Sequence, residues 1–388
     1  MPTCGKCLAF FTARKGLLCL SFNDGITSSP MPSSLRKLSF LSSFSYPVPH
    51  TRVPSNQAPQ PRTKLNLCNR FMKGRLAPRY FSTSSRKDLR FVHFIIPNDD
   101  EHTFVPRRLG ALMTNDEGSD VVVDISGVEH TIPNDMIDFL KAGPEKLRKA
   151  QRVVAEGRSI YQLPQVHLLP AVIKPDKVAC VGLNYRDHCE EQKITPPKAP
   201  IFFSKWPSCL VGPYDAVEYP SITKNFDYEV EVALIIGRKA KDVSRSQAMN
   251  YVFGLSVAQD LTARDWQGKG PGSRNGGQWL LAKATDNSCP IGPAVVQLSS
   301  IADTKDLKLK CHVNGTLKQE GTTANMIFSF EDIVSFLSHC CTLLPGDVIL
   351  TGTPSGVGVF RSPPEFLQKG DVIESEVVGI GKMKNTVI

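Results

Sequence analysis

The segment Glu229-Val230-Glu231-Val232-Ala233-Leu234-Ile235-Ile236-Gly237 carries the clearest strand pattern in the chain. It begins with alternating acidic and apolar residues and ends in an apolar run, which is typical of a strand whose far end is buried. Because residues two apart on a strand share a face, Glu229 and Glu231 are expected to point the same way. Two carboxylates so close repel each other, and a divalent cation would remove that repulsion. Taken alone, the pair is more typical of an exposed strand end with solvated acids.

A second acidic position follows another apolar strand, which is predicted over Val252–Gln259 and ends directly before Asp260. A third carboxylate at this point would complete a site made only of oxygen donors. Such a site suits Mg²⁺, or Mn²⁺ as a substitute. Asp265 is the competing ligand, but its place five residues further on favours a role beside Arg264 or at a helix start.

Three further segments are candidates for the site or its mouth. Lys283 follows the apolar run Trp279-Leu-Leu-Ala, so it is expected to be partly buried and to need an anionic substrate or an anionic partner such as the metal carboxylates. The segment Thr351-Gly-Thr353-Pro-Ser-Gly-Val-Gly358 lacks the Gly-Lys-Ser/Thr ending of a phosphate loop. It is interpreted as a tight turn whose Thr353 hydroxyl and backbone amides bind a substrate carboxylate. The glycine-rich segment Gly268–Gly277 predicts a mobile loop near the mouth of the site.

The pattern of strands and turns predicts an α+β fold that is rich in β structure. A metal-binding catalytic domain is expected over residues 171–388, with one clear helix at Phe330–Cys340, and its short strands indicate a mixed β-roll, barrel or sandwich. Residues 88–170 predict a small N-terminal α+β domain with helices over 134–142 and 144–156. The strands expected in the larger domain, besides one over 177–181, are Ile201–Phe203, Tyr228–Ile236, Val252–Gln259, Leu307–Val313, Asp347–Thr351 and Asp371–Val378.

Residues 1–87 form a basic arm with 14 Lys and Arg against one acid, Asp24, whereas the rest of the chain has 32 basic and 36 acidic residues. This composition predicts a mitochondrial transit peptide and hence a matrix protein, with a disordered tail as the alternative. Translation from Met72 is a further possibility. Because the excess of basic over acidic residues is confined to the arm, no nucleic-acid partner is expected. No apolar run reaches the roughly 18 residues of a membrane span, so we expect no membrane insertion.

The chain resembles the fumarylacetoacetate hydrolase superfamily from about Lys174 to the C-terminus. The resemblance rests on five motifs in register, which are Gly182-Leu-Asn184-Tyr185-Arg-Asp-His188-Cys-Glu-Glu191, Glu229-Val-Glu231, Asp260-Leu-Thr-Ala-Arg-Asp-Trp-Gln267, Leu281-Ala-Lys283 and Thr351-Gly-Thr353-Pro-Ser-Gly-Val-Gly358. It implies the β-roll or barrel of the family's C-terminal domain, and a homodimer.

The resemblance also implies roles for individual residues. The metal ligands are expected to be Glu229, Glu231 and Asp260, with Lys283 beside the metal. His188 and Glu191 are expected on a lid, where the spacing of three residues puts them on one helical face and lets Glu191, or alternatively Glu190, orient the imidazole. The substrate contacts expected are Thr353, Gln267, Tyr185, Asn184 and Lys205.

A mitochondrial member of the family provides the strongest resemblance and implies an oxaloacetate tautomerase that acts on a small 2-oxo dicarboxylic acid. The motifs alone leave three reactions open, because keto–enol tautomerisation, oxaloacetate decarboxylation and hydrolysis of an acylpyruvate share an enolate intermediate. Hydrolysis also needs an activated water, the role expected for His188 with Glu191. An inactive binding module is the alternative from another class, and the complete set of carboxylates with Lys283 argues against it.

Overall fold

The computed structural model describes residues 89–98, 105–268 and 277–388, all within the unit of residues 72–388. The basic arm and its predicted transit peptide lie outside these residues. So do residues 269–276, most of the segment for which a mobile loop is predicted.

Strands dominate the described part of the chain. They are β1 (Arg90–Ile95), β2 (Arg108–Thr114), β3 (Asp120–Asp124), β4 (Ile160–Gln162), β5 (His167–Leu168), β6 (Val178–Gly182), β7 (Ile201–Lys205), β8 (Leu210–Val211), β9 (Phe226–Asp227), β10 (Val230–Ile236), β11 (Val252–Gln259), β12 (Thr262–Ala263), β13 (Cys289–Gln297), β14 (Lys308–Val313), β15 (Thr316–Thr322), β16 (Val348–Leu350), β17 (Val372–Val377) and β18 (Gly381–Thr386).

Helices are fewer and mostly short. They are α1 (Ile125–Val128), α2 (Met136–Lys141), α3 (Pro144–Glu156), α4 (Arg186–Glu191), α5 (Arg264–Gln267), α6 (Trp279–Lys283) and α7 (Phe330–Cys340). Helix α7 begins where the Ser329 hydroxyl accepts from the amide of Asp332 and the Asp332 carboxylate accepts from the amide of Ser329. This reciprocal capping box explains why the sequence marks the helix so clearly.

Twelve strands form one large mixed sheet, in the order β4-β3-β2-β1-β13-β11-β10-β16-β6-β7, with β5 and β8 paired to β1 and β13. A four-stranded sheet, β15-β14-β17-β18, and the pair β12-β9 complete the described strands. The predicted α+β, β-rich fold class is confirmed. Within the described ranges the strand pairings do not close a barrel.

Strand β10 lies in the middle of the large sheet, between β11 and β16, and is buried along its whole length. Its alternate residues belong to two different apolar clusters. Val232 and Leu234 pack in the cluster that also contains Ile333 of α7, whereas Ala233 and Ile235 pack in the cluster that contains Val153 of α3. The apolar run of this strand therefore reflects burial on both faces of the sheet.

The residues on both sides of the boundary predicted between 170 and 171 share the large sheet. Strand β1 pairs antiparallel with β13, and β2 to β4 extend the sheet outward from β1. Apolar residues of both segments, such as Phe91 and Val178, also share one cluster. The division into two domains stays a prediction, and the shared sheet shows how closely the two segments are joined.

Two further features bear on the class of protein. None of the helices in the described ranges is long and apolar enough to cross a membrane. The seven cysteines in those ranges are all free thiols, and five of them are buried.

Candidate metal centre and active site

Three buried carboxylates meet at one end of the two central strands. Glu229 directly precedes β10, Glu231 lies within it, and Asp260 follows β11. One carboxylate oxygen from each lies within 4.8 Å of the others. Because Glu229 and Glu231 are two residues apart in extended backbone, their side chains face the same side of the sheet, as the sequence predicts. Such a cluster of oxygen donors has the ligand chemistry that Mg²⁺ and Mn²⁺ prefer.

The start of β10 is held by side chains as well as by neighbouring strands. The backbone amide of Glu229 donates to Oε1 of Gln259 at 2.8 Å, and that of Val230 donates to Oε1 of Gln319 at 3.0 Å. Buried backbone amides need such acceptors. The two glutamines therefore fix the backbone that carries the acidic pair.

Two of the three carboxylates already have cationic partners. The Lys283 Nζ donates to Oε2 of Glu229 at 2.8 Å and to Oδ2 of Asp260 at 2.7 Å. The other oxygen of Asp260 accepts from Lys205 at 3.0 Å, and the other oxygen of Glu229 contacts Nη1 of Arg264 at 2.6 Å. Burial alone would raise the pKa of Glu229, but Lys283 and Arg264 outweigh it and hold that pKa at about 2.

Glu231 is different, because it forms no ion pair within the residues that the structure describes. Its Oε2 accepts from the backbone amide of Gly352 at 2.6 Å, and its side chain is 1% exposed. Burial, followed by repulsion from Asp260 and Glu229, raises the pKa of Glu231 well above its ordinary value. Such a carboxylate needs either a proton or a cation, so the charge balance of the site fits a bound divalent ion.

A cavity of about 510 Å³ opens over the acidic cluster. Glu229, Glu231, Arg264 and Lys283 provide its charged wall. The rest of its lining is mostly apolar and aromatic, and includes Val181, Leu183, Phe203, Trp279, Val359 and Phe360. The Lys283 Nζ lies 5.0 Å from the centroid of the Phe203 ring. The cavity therefore combines charge at one side with a larger apolar wall, which is typical of a small-molecule site.

His188 and Glu191 lie on α4, and the structure brings them together. The His188 Nδ1 is 2.9 Å from Oε2 of Glu191, and the imidazole is buried and lines the cavity. Glu190, the alternative partner, is exposed. The second oxygen of Glu191 accepts from the backbone amide of Gly356 at 2.9 Å. This bond ties α4 to the turn after β16.

That turn, Thr351–Gly358, donates backbone amides to protein carboxylates. Gly352 donates to Glu231, Gly356 to Glu191 and Gly358 to Asp227. Glycine is required at all three of these positions, as two of them illustrate. At Gly352 the backbone φ is +97°, and at Gly358 a Cβ would lie 1.9 Å from a backbone oxygen. The predicted turn exists, but these three amides bind side chains of the protein, which the sequence did not indicate.

Sequence reasoning also missed an ion pair behind the acidic cluster. Asp227, at the end of β9, accepts from Nε of Arg264 at 2.8 Å. Arg264 in turn contacts Glu229, as described above. The only sequence signal was the arginine four residues after Asp260. Asp265 accepts from Thr223 and lies outside the acidic cluster.

The residues predicted to contact substrate have different surroundings. Gln267 and Thr353 line the cavity, although the Thr353 hydroxyl donates to the carbonyl of Val230 and accepts from Gln319. Asn184 and Lys205 are fully buried. The Asn184 amide binds the backbone of Phe328 and Thr351, and Lys205 binds Asp260 and the carbonyl of Leu261.

Tyr185 is also fully buried, and its hydroxyl has no hydrogen-bond partner within the described ranges. Burial, followed by the charge of Glu231, raises its pKa well above the ordinary value. Contact with substrate stays a prediction for all five residues. The geometry gives Asn184 and Lys205 defined structural partners instead.

The fold is that of the fumarylacetoacetate hydrolase family. Residues 177–388 match the family described as fumarylacetoacetate (FAA) hydrolase C-terminal, and the chain belongs to it. The predicted resemblance is confirmed.

Individual proteins support the same placement. The chain is 44% identical over 302 residues to the human protein named oxaloacetate tautomerase FAHD2A, mitochondrial, which covers 78% of this chain and 92% of that protein. Among solved structures it is similar to the fumarylacetoacetate hydrolase of Exiguobacterium antarcticum, at 32% identity and a TM-score of 0.63, over 77% of this chain and 99% of that one. It is also similar to the maleylpyruvate hydrolase of Sphingobium sp. SYK-6, at 27% identity and a TM-score of 0.61, over 77% and 99% of the two chains.

Proposed function

We propose that this protein is a metal-dependent oxaloacetate tautomerase, which converts the enol form of oxaloacetate into the keto form. The observation that carries the proposal is Glu231, a buried carboxylate with no cationic partner in the described ranges, placed beside Glu229 and Asp260 at the cavity. The name and high coverage of the human relative support the same activity.

Glu229, Glu231 and Asp260 would hold the Mg²⁺ or Mn²⁺. When bound, such an ion supplies Lewis-acid charge that favours an anionic oxygen on a 2-oxo acid. The cluster of the three carboxylates lies at the charged side of the cavity. A small dicarboxylate that binds the ion would therefore occupy that side and leave the apolar side free.

The reaction moves protons only: the enol hydroxyl loses a proton and C3 of the substrate gains one. Lys283 stands where negative charge develops on the substrate oxygen. Two of its N–H groups already bind Glu229 and Asp260, so its position is fixed before substrate arrives. A charge that needs no rearrangement stabilises an enolate most effectively. Glu191 binds Nδ1 of His188 and orients the ring, so Nε2 is the nitrogen that exchanges a proton with the substrate.

A second candidate is hydrolysis of the C–C bond of an acylpyruvate. The pair of His188 and Glu191 favours it, because a base oriented by a carboxylate at the cavity can activate a water. The similar structures named as hydrolases point in the same direction. Oxaloacetate decarboxylation stays an alternative from the sequence.

The test supplies purified protein with Mg²⁺ and measures enol-oxaloacetate decay, acetylpyruvate cleavage and oxaloacetate decarboxylation side by side. We expect tautomerisation to be the fastest, to stop in chelator and to return with Mg²⁺ or Mn²⁺. Glu231→Gln should abolish it, whereas Glu320→Gln, on β15 and exposed, serves as the matched control. Faster cleavage of acetylpyruvate would instead establish the hydrolase, and metal binding with no turnover of any of the three compounds would favour an inactive binding module.

We also propose a mitochondrial location, from the composition of residues 1–87 and the name of the human relative. Fusion of these residues to a fluorescent protein tests it, and a diffuse cytosolic signal would contradict it. The predicted homodimer is tested by the mass of the purified protein in solution.

A further inference from the structure

Asp227 is a fully buried carboxylate of the site that has no part in the proposed chemistry. Its Oδ1 accepts from the backbone amides of Tyr228 at 2.9 Å and Gly358 at 2.8 Å. Its Oδ2 accepts from the backbone amide of Val359 at 3.0 Å and from Nε of Arg264 at 2.8 Å. Four donors thus fix this carboxylate in one orientation.

The contacts of Arg264 show what that orientation achieves. Asp227 binds Nε, while Nη1 lies 2.6 Å from Oε1 of Glu229 and donates to Gln267 at 2.9 Å. The remaining nitrogen, Nη2, is buried without a partner in the described part of the chain, on a residue that lines the cavity. A buried N–H without an acceptor is costly unless a ligand supplies one.

We infer that Asp227 is a positioning residue that acts through Arg264. It holds the guanidinium so that one edge neutralises Glu229 and the other presents Nη2 to an anionic ligand in the cavity. Through Gly358 and Val359 the same carboxylate fixes the beginning of the wall formed by Val359 and Phe360. This inference rests on the proposed function for its kinetic test, but not for its binding test.

The test compares Asp227→Asn with a matched control, Asp347→Asn. Asp347 is also buried, accepts from the amides of Leu344 and Lys177, and pairs with the Lys177 ammonium, but it lies at the opposite end of β10. In each variant the asparagine side chain places an NH₂ group, which can only donate, where the carboxylate had accepted a hydrogen bond. Both variants are therefore expected to lose stability.

A purely structural loss lowers the fraction of active protein and leaves KM unchanged. We expect Asp227→Asn to raise KM for enol-oxaloacetate about tenfold or more, the order lost with a charge-assisted hydrogen bond. Asp347→Asn should keep the wild-type KM. If Asp227→Asn does not fold, Asp227→Glu carries the same comparison, because it keeps the charge and displaces it by one methylene group.

Two further measurements separate the possible failures. In the double variant with Arg264→Lys, KM should be no higher than in Arg264→Lys alone, because both changes remove the same contact. Mn²⁺ titration followed by electron paramagnetic resonance, without substrate, should show weaker binding to Asp227→Asn than to Asp347→Asn, because Arg264 is then drawn towards Glu229.

A wild-type KM and Mn²⁺ affinity in Asp227→Asn, or losses that multiply in the double variant, would overturn the inference. Absence of turnover in the wild-type protein would overturn the proposed function only, since the Mn²⁺ comparison would still decide the role of Asp227.

Discussion

Gly352 donates its backbone amide to Oε2 of Glu231 at 2.6 Å, and among the described residues this is the one hydrogen bond to that carboxylate oxygen. The donor belongs to a turn that also binds Glu191 and Asp227. One short segment thus positions a proposed metal ligand, the partner of His188 and the partner of Arg264. The site is therefore sensitive to the backbone of this turn as well as to its own side chains.

Gly352→Ala should lower both stability and metal affinity. The backbone φ of +97° disfavours any side chain, and a Cβ would lie 2.8 Å from Cβ of Asn184. The expected loss is about 1–3 kcal/mol of unfolding free energy for the backbone, with the steric contact in addition. Gly370→Ala is the control, because its φ is +94° but no atom lies within 4 Å of the added Cβ. Equal losses of stability and equal Mn²⁺ affinities in the two variants would show that the contact with Glu231 has no effect.

Lys283→Met should separate metal binding from turnover. The substitution removes the cation between Glu229 and Asp260, so the metal-free protein is expected to lose stability while its affinity for Mg²⁺ is kept or increased. Added Mg²⁺ should then raise Tm more than it does in the wild-type protein. Tautomerisation should fall about 10²–10³-fold, because the charge that stabilises the enolate is lost. A variant that loses metal binding together with activity would contradict this division.

His188→Ala should affect hydrolysis more than tautomerisation. Activation of water requires the imidazole held by Glu191, whereas proton exchange with an enol can also use solvent. Cleavage of acetylpyruvate, where detectable, is expected to fall about 10²-fold or more and tautomerisation less than about tenfold. His339→Ala is the control, since His339 is exposed on α7. Equal losses in the two reactions would refute separate roles.

The sequence predicted the parts of the fold that depend on local pattern. Strand β11 and helix α7 begin and end at the predicted residues, because a mostly apolar run and a capping box mark them. Strand β13 was missed, although it lies between β1 and β11 in the large sheet. It contains Pro290 and Pro293, which usually indicate that a segment is not a central strand.

The same distinction applies to the site. The spacing of Glu229 and Glu231 is local, so their shared face follows from strand geometry alone. The contact of Asp227 with Arg264 spans 37 positions, and its contact with Gly358 spans 131. Backbone amides carry no signature in the sequence, so the carboxylates that they bind become visible only in the folded chain.

Stability should depend on pH through His93, which lies far from the acidic cluster along the chain. Its Nε2 accepts from the amide of Met136 at 2.8 Å, and its Nδ1 is 3.1 Å from the carbonyl of Pro170, which fixes a neutral ring. Burial is the main reason that the pKa of His93 is lowered to about 4. Between pH 6.5 and 4 the unfolded chain therefore binds a proton that the folded protein does not. The free energy of unfolding should fall by about 3 kcal/mol as pH decreases through this range, and this contribution is fully present above it.

Urea unfolding of the wild-type protein and of His93→Gln, measured from pH 7 to pH 4, isolates this contribution. All other titrating groups are common to both proteins, so they cancel in the difference. His93→Gln should be less stable at pH 7, because glutamine fits the pocket of the imidazole poorly, and the gap should narrow as the pH falls. Parallel curves of unfolding free energy against pH for the two proteins would mean that His93 takes up its proton equally well in the folded and unfolded chains. The assignment of a neutral, buried imidazole would then be wrong.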